Sequence, residues 1–153
     1  MEELVTKAKH SITARGVKMS LDLEKYLRQE VQEAQSEHFT KMMPLLDIIK
    51  HIVDEMKITI GPGRGPAASS LLLFSKGFNH NHTQHFDLLP DLFFQALKPL
   101  IWVDVEYDSA PDFLNRLLKK TTLKNLREAK IFIFQCPFLT VLSQVEKKVG
   151  AIN

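Results

Sequence analysis

Residues 61 to 66 read Gly-Pro-Gly-Arg-Gly-Pro, and no regular element can run through them. Each glycine weakens a helix or strand interior, and each proline removes a backbone donor and fixes φ. The chain is therefore divided here: whatever precedes residue 61 must end before it, and whatever follows must start anew. A short β-like run, Lys57 to Ile60, feeds this loop. A helical stretch, Pro66 to Lys76, follows it, with Gly77 placed to stop it.

Upstream, the apolar residues recur at helical spacing. Residues 4 to 14 and 21 to 35 predict two helices separated by Gly16, the second capped by Ser20 with Leu21, Leu23, Tyr26, Leu27 and Val31 as its apolar positions. A third helix is expected from Pro44 to Met56, with the proline in its first turn. Downstream, Phe78 to Asp87 is polar and reads as a surface loop, and Leu88 to Leu97 reads as helical. Leu100 to Tyr107 is the best strand, with Ile101, Val103, Val105 and Tyr107 alternating against Trp102, Asp104 and Glu106. Ser109 can cap a helix bearing Phe113, Leu114, Leu117 and Leu118; a strand from Lys130 to Phe134 and a helix from Pro137 to Gly150 complete the pattern.

Mixed elements around one sheet predict an α/β (α+β) fold with flanking helices. The 153 residues, 44% of them apolar, suit a single domain over 1–153. Within it, 1–56 supplies N-terminal helices, and 57–150 supplies the sheet, the glycine loop and the helices packed on it. A net charge of +2 lacks the basic excess of a dedicated nucleic-acid coat. The one cysteine, Cys136, excludes an intramolecular disulfide and a multi-cysteine zinc site, and its neighbours Phe132, Phe134 and Phe138 predict that it is buried. Acids at Glu2 and Glu3, and no long apolar run, predict neither export nor a membrane span, hence a cytoplasmic protein.

Three places carry possible chemistry. Gly61, Gly63 and Gly65 can leave backbone amides uncrowded for a phosphate, with Arg64 adding charge; a plain tight turn has the same composition. Asp104 and Glu106, two apart on a strand, project to one face and can share a divalent metal. Alternating acids are equally the solvated face of a half-buried strand. The loop 79–87 holds His80, His82, His85 and Asp87, either as metal ligands or as ordinary loop polarity. Arg116, Lys119, Lys120, Lys124, Arg127 and Lys130 form a basic cluster able to meet a phosphate backbone, or simply to solvate helix faces.

Taken together these pieces resemble the palm of bacterial replicative C-family DNA polymerases, the DNA polymerase III alpha subunits. The family pattern GPGRGSAAGSL faces GPGRGPAASSL, Gly61 to Leu71; Gly77, Phe86 and Leu88-Leu89 then fall on family positions without a gap. One deletion later, Val103 to Tyr107 falls on the end of the acidic strand PD[IF]D[IV]DF, and Ile131 to Gly150 resembles the strand and helix beyond it. The resemblance implies a palm-like, nucleotidyltransferase-type sheet.

The departures imply lost catalysis. Pro66 stands where the family has a serine thought to bind the incoming nucleotide's phosphates. Trp102 falls on the first metal-binding aspartate, Asp104 on the second, and Glu106 on a third acid that is not a catalytic ligand. Leu92 takes an arginine position, and the family's third catalytic aspartate lies on a strand farther along than these residues extend. The expectation is a pseudoenzyme without resident cofactor: a nucleic-acid, nucleotide-phosphate or replication-protein binding module, with Asp104 a catalytic remnant. The alternative is a small enzyme or sensor using a divalent metal at Asp104 and Glu106 or at the histidine loop. No heptads fix an oligomeric state.

Overall fold

A computed structural model describes residues 1–61, 65–79 and 100–136, with residues 37, 38, 65 and 66 described in backbone only. The fold is α+β. Helices α1 (Glu2–Ala14), α2 (Leu21–Ala34), α3 (Glu37–Thr40) and α4 (Met42–Met56) come first; a 3-10 turn (Gly65–Ser69) and α5 (Leu71–Ser75) follow the glycine loop. The last described part runs β1 (Ile101–Glu106), α6 (Ala110–Leu118), α7 (Leu123–Glu128) and β2 (Ile131–Cys136).

The helix boundaries follow local chemistry. Ser20 caps α2 by accepting the Leu23 amide at 3.1 Å. Gly16 (φ +85°) and Gly77 (φ +83°) supply the left-handed residues that end α1 and α5. Lys57 ends α4 with φ +52°, the same conformation without a glycine. Pro44 sits in the first turn of α4, where its missing N–H costs no helical bond. The region after the loop is not one helix. Ser70 interrupts it at φ −79°, ψ 122°, and its hydroxyl accepts the Leu73 amide at 3.0 Å, so a 3-10 turn and a five-residue helix replace the continuous helix 66–76.

β1 lies between two partners. β2 runs parallel to it in the register Trp102 with Phe132 and Asp104 with Phe134. On its other edge Ile60 bridges Val105 antiparallel, which is all that forms of the β-like run 57–60. Ile101, Val103 and Val105 point into the core. That core is continuous from Val5 and Ile12 in α1, through Leu27, Leu46 and Ile49, to the sheet and Phe113 and Leu117 of α6. Tyr107 leaves the strand's alternation: it lies in a turn and is exposed. The chain crosses from β1 to β2 through α6 and α7, the latter capped by Thr122 accepting the Asn125 amide at 3.1 Å. Neither Phe78 nor Asn79 is surface loop; both are buried. The rest of that loop, the helix expected over 88–97 and the helix expected over 137–150 lie outside the described residues. Among the described residues no helix is long and apolar enough to cross a membrane.

Candidate functional site

The glycine loop leaves the sheet beside the acidic strand. The Gly61 amide donates to the Asp104 carbonyl at 2.8 Å. A Cβ on Gly61 would lie 3.0 Å from the Asp104 Cβ and 3.3 Å from its Oδ2. Glycine is required here by close approach, since a side chain would have to push Asp104 aside. Two residues earlier, the Thr59 amide donates to Oε1 of Glu106 at 2.6 Å. The loop root is thus stitched to β1 by one backbone bond and one carboxylate.

These bonds revise two expectations. Gly61 is spent on the sheet, so it offers no amide to a phosphate. Glu106 is buried, with one oxygen committed to Thr59, and serves as an internal cap for the edge of β1. Gly65 opens the 3-10 turn; Gly63 and Arg64 lie outside the described residues, as do His80, His82, His85 and Asp87. Asp104 is half-buried on the same face as Glu106, as the alternation required. The position two before Asp104 carries the Trp102 indole, and one oxygen of Glu106 is already engaged by the Thr59 amide. Among the described residues no group of three or more His, Cys, Asp or Glu is placed to hold a metal ion.

The segment after the loop is held by three polar side chains, two of them buried. Glu30 of α2, 1% exposed, accepts the Leu71 and Leu72 amides at 3.2 and 2.7 Å, capping the first turn of α5. Asn79, fully buried, donates through Nδ2 to the carbonyls of Ala67 and Ser70, both at 2.9 Å, while its Oδ1 has no hydrogen-bond partner. Arg15, at the end of α1, donates to the Phe74 and Asn79 carbonyls and lies over the Phe74 ring at 3.8 Å. Burial pulls its guanidinium pKa down, and the carbonyls compensate the lost water. None of the three announces itself in the sequence, because a charged or amide residue within a helical pattern or loop reads as solvated.

The basic cluster is exposed throughout. Arg116, Lys119 and Lys120 line a concavity of about 480 Å³ together with Glu55 and Asp112. Arg127 opens instead onto an apolar concavity of about 440 Å³ between α6, α7 and β2. Arg116 pairs with Asp112 at 3.4 Å and Lys124 with Glu128 at 4.0 Å, each one helical turn away. These pairs are worth little in stability and leave the cations accessible.

The remaining feature is aromatic. Trp102 packs against Phe132 and Phe134 with ring centroids 5.3 and 4.9 Å apart. Phe132 and Phe134 are 37% and 40% exposed. Cys136 is only half-buried, contrary to the expectation that these rings would enclose it. The rings instead present an apolar surface outward. Its sequence signal was available: Phe132 and Phe134 alternate in step, as Trp102 does with Asp104.

With this geometry established, the likeness to known proteins can be placed. DNA polymerase III subunit alpha of Thermotoga maritima is 29% identical to the chain over 114 residues, covering 69% of the chain. The chain spans 14% of that subunit's length. This is a distant, partial resemblance and points to a replication-related origin. No family profile matches the chain, and no solved structure matches it.

Proposed function

We propose that the chain is a palm-derived binding protein for nucleic acid that does not polymerise nucleotides. One observation carries the reading: the root of the glycine loop lies directly on Asp104, while Trp102 stands where the resemblance expects the partner carboxylate. The juxtaposition is the one a palm requires, and the substitution removes the charge that would hold a pair of metal ions over it. Metal-borne charge stabilisation supplies much of the barrier reduction in phosphoryl transfer, so a strand that has lost one of its two metal-binding carboxylates loses turnover before it loses shape. Pro66, with neither hydroxyl nor N–H, removes a phosphate contact from the same neighbourhood. The 29% identity to a polymerase subunit supports a nucleic acid as ligand, as do the accessible cations of α6 and α7.

The test is paired. Primer extension with magnesium or manganese should give no incorporation by the full chain, and incorporation would end the non-catalytic reading. Fluorescence anisotropy with labelled single-stranded and primed DNA should show binding at low salt that weakens linearly in log K against log salt. No binding at low ionic strength would refute the reading of a nucleic-acid binder.

A further inference from the structure

We infer that the outer edge of β2 and the apolar groove beside it form a docking site for an extended acidic peptide, which adds to the sheet as a further strand. The site is independent of the nucleic-acid reading above. The register decides which groups the edge presents. The Ile101 amide donates to the Lys130 carbonyl at 2.9 Å, and the parallel pairing sets Ile101 beside Ile131. Each residue of a strand turns both backbone groups to one side and the next residue turns them to the other, so the even-numbered residues of β2 bond β1. The same alternation turns the Asp104 carbonyl away from β2, where it accepts the Gly61 amide. Ile131, Ile133 and Gln135 therefore direct their amides and carbonyls outward, and among the described residues β2 is the last strand of its sheet. Such a row of donors and acceptors is completed by another backbone in extended form.

The side chains beside that edge commit the occupant further. Ile131 and Ile133 share a sheet face, and with Leu114 of α6 and Leu123 and Leu126 of α7 they line the groove of about 440 Å³. Binding clefts run to ~300–1,000 Å³, and every second side chain of an added strand would drop into this one. Leu123, 57% exposed, is apolar surface that such a strand covers. Among the described residues Arg127 is the one charged side chain lining the groove, and no carboxylate of theirs pairs with it. An acid on the peptide supplies the counter-charge, whereas a basic peptide brings like charge to Arg127 and the nearby Lys130. The competing occupants fit less well. A second copy's β2 reads Ile-Phe-Ile-Phe-Gln-Cys and carries no acid, and a phosphodiester backbone has no N–H to give to the outward carbonyls.

Amide hydrogen exchange, read residue by residue in the full chain at low concentration, tests the edge first. Phe132 and Phe134, bonded to β1, should exchange slowly, and Ile133 and Gln135 fast. Slow exchange at all four means that the chain itself covers the edge, and overturns the site. Selection from random peptides of about seven residues, long enough to span β2 at about 3.3 Å per residue, supplies the probe. The expected consensus has apolar residues at alternate positions and an aspartate or glutamate. The selected peptide should slow exchange at Ile133 and Gln135. N-methylation of its edge-facing amides should abolish binding, and N-methylation of the alternate set should leave it intact. Leu123→Asp, at an exposed position, should keep the native circular dichroism and weaken binding about tenfold. Arg127→Glu should turn the selected preference from acidic to basic residues. Protection that grows with protein concentration alone, together with a dimer in sedimentation, assigns the edge to a second copy. Protection by oligothymidine or decanoate with no peptide enriched assigns the groove to a nucleic acid or a small amphiphile. Either result overturns the acidic-peptide site, as does a consensus without alternation, a preference for basic residues in the unaltered chain, or a selection that enriches nothing.

Discussion

Two regions of this molecule treat polarity in opposite ways. Around α5, polar side chains are buried: Glu30 and Asn79 lie inside the helical layer and, with Arg15 at its surface, hold backbone groups of residues 67–79. On the outer face of the sheet, apolar side chains are exposed: Phe132 and Phe134 face solvent beside Trp102. Each departs from the usual partition, and each departure has a different physical use. Buried polar groups are costly unless paired, so a paired set fixes one geometry. Exposed rings carry no such constraint, and contribute little until something covers them. The first region positions the segment leaving the glycine loop; the second offers a surface.

The largest effect that would break this contrast is expected at Glu30. Glu30→Ala leaves the Leu71 and Leu72 amides buried without acceptors and opens a gap between α2 and α5. Each orphaned buried donor costs about 1–3 kcal/mol, so a loss of about 3 kcal/mol or more is expected in urea denaturation. Glu30→Gln keeps one acceptor oxygen and should recover part of it. A loss below about 1 kcal/mol for the alanine variant would mean that the buried carboxylate does not hold α5.

Gly61→Ala comes next, because it tests the seam between loop and sheet. The added methyl meets the Asp104 Cβ at 3.0 Å, and overpacking of this kind costs about 1–3 kcal/mol. Pairing it with Asp104→Gly removes the obstructing atom. The double variant should therefore lose less stability than the two single losses added together. Strict additivity would show that the two residues do not press on each other.

The sheet face should be nearly indifferent. Phe134→Ser removes a ring that is 40% exposed and should cost under about 1 kcal/mol, whereas Phe113→Ala, at a fully buried ring of α6, should cost about 3–5 kcal/mol. Comparable losses at both positions would make the outer rings part of the core and erase the contrast.

The same contrast explains what was legible in the sequence. Features governed by neighbours along the chain were readable: the Ser20 cap, the stops at Gly16 and Gly77, and the alternation of Ile101, Val103 and Val105. Ser70 misled because small residues after a glycine loop suit a helix, and only its own hydroxyl bond shows that it starts one afresh. Helix α7, capped by Thr122, is short enough to escape a periodicity reading. Burial across the chain was not readable. Nothing near Glu30 says that a helix from residue 71 will end on it, and nothing near Asn79 says that its amide will bridge two carbonyls. Alternation put Trp102 and Asp104 on one face but left open whether that face meets core or water, and Cys136, expected to be buried among its aromatic neighbours, is only half-buried. At the candidate site, the proximity of Asp104 to the glycine loop was expected only from the resemblance; the commitments of Gly61 and Glu106 depend on pairing between residues some 45 apart in sequence.

The smallest expected effect separates two arginines of the helical layer. Arg15 is bonded to carbonyls, which do not titrate, so its contribution should be flat across the acidic range. Arg28 bonds carboxylates instead, Glu2 at 2.7 and 2.8 Å and Glu24 at 2.9 and 3.2 Å, joining α1 to α2. Glu24 is held below its ordinary pKa by its hydrogen bond to Lys9 and then by Arg28, and Glu2 by its hydrogen bond to Arg28. A carboxylate with a lowered folded pKa contributes stability above its unfolded value and loses it as pH falls through the folded one. The pairs therefore add stability above about pH 4.5, and that increment disappears on further acidification. Arg28→Gln should lower the urea midpoint slightly near neutrality, by a decrement that shrinks to nothing on acidification below that value, so that the variant's curve is flatter. Added salt should flatten the unaltered protein's curve in the same way. If Arg28→Gln instead lowers the midpoint equally at pH 7 and pH 4, the guanidinium acts through packing of its stem across α1 and α2, and Arg28 joins the same class as Arg15.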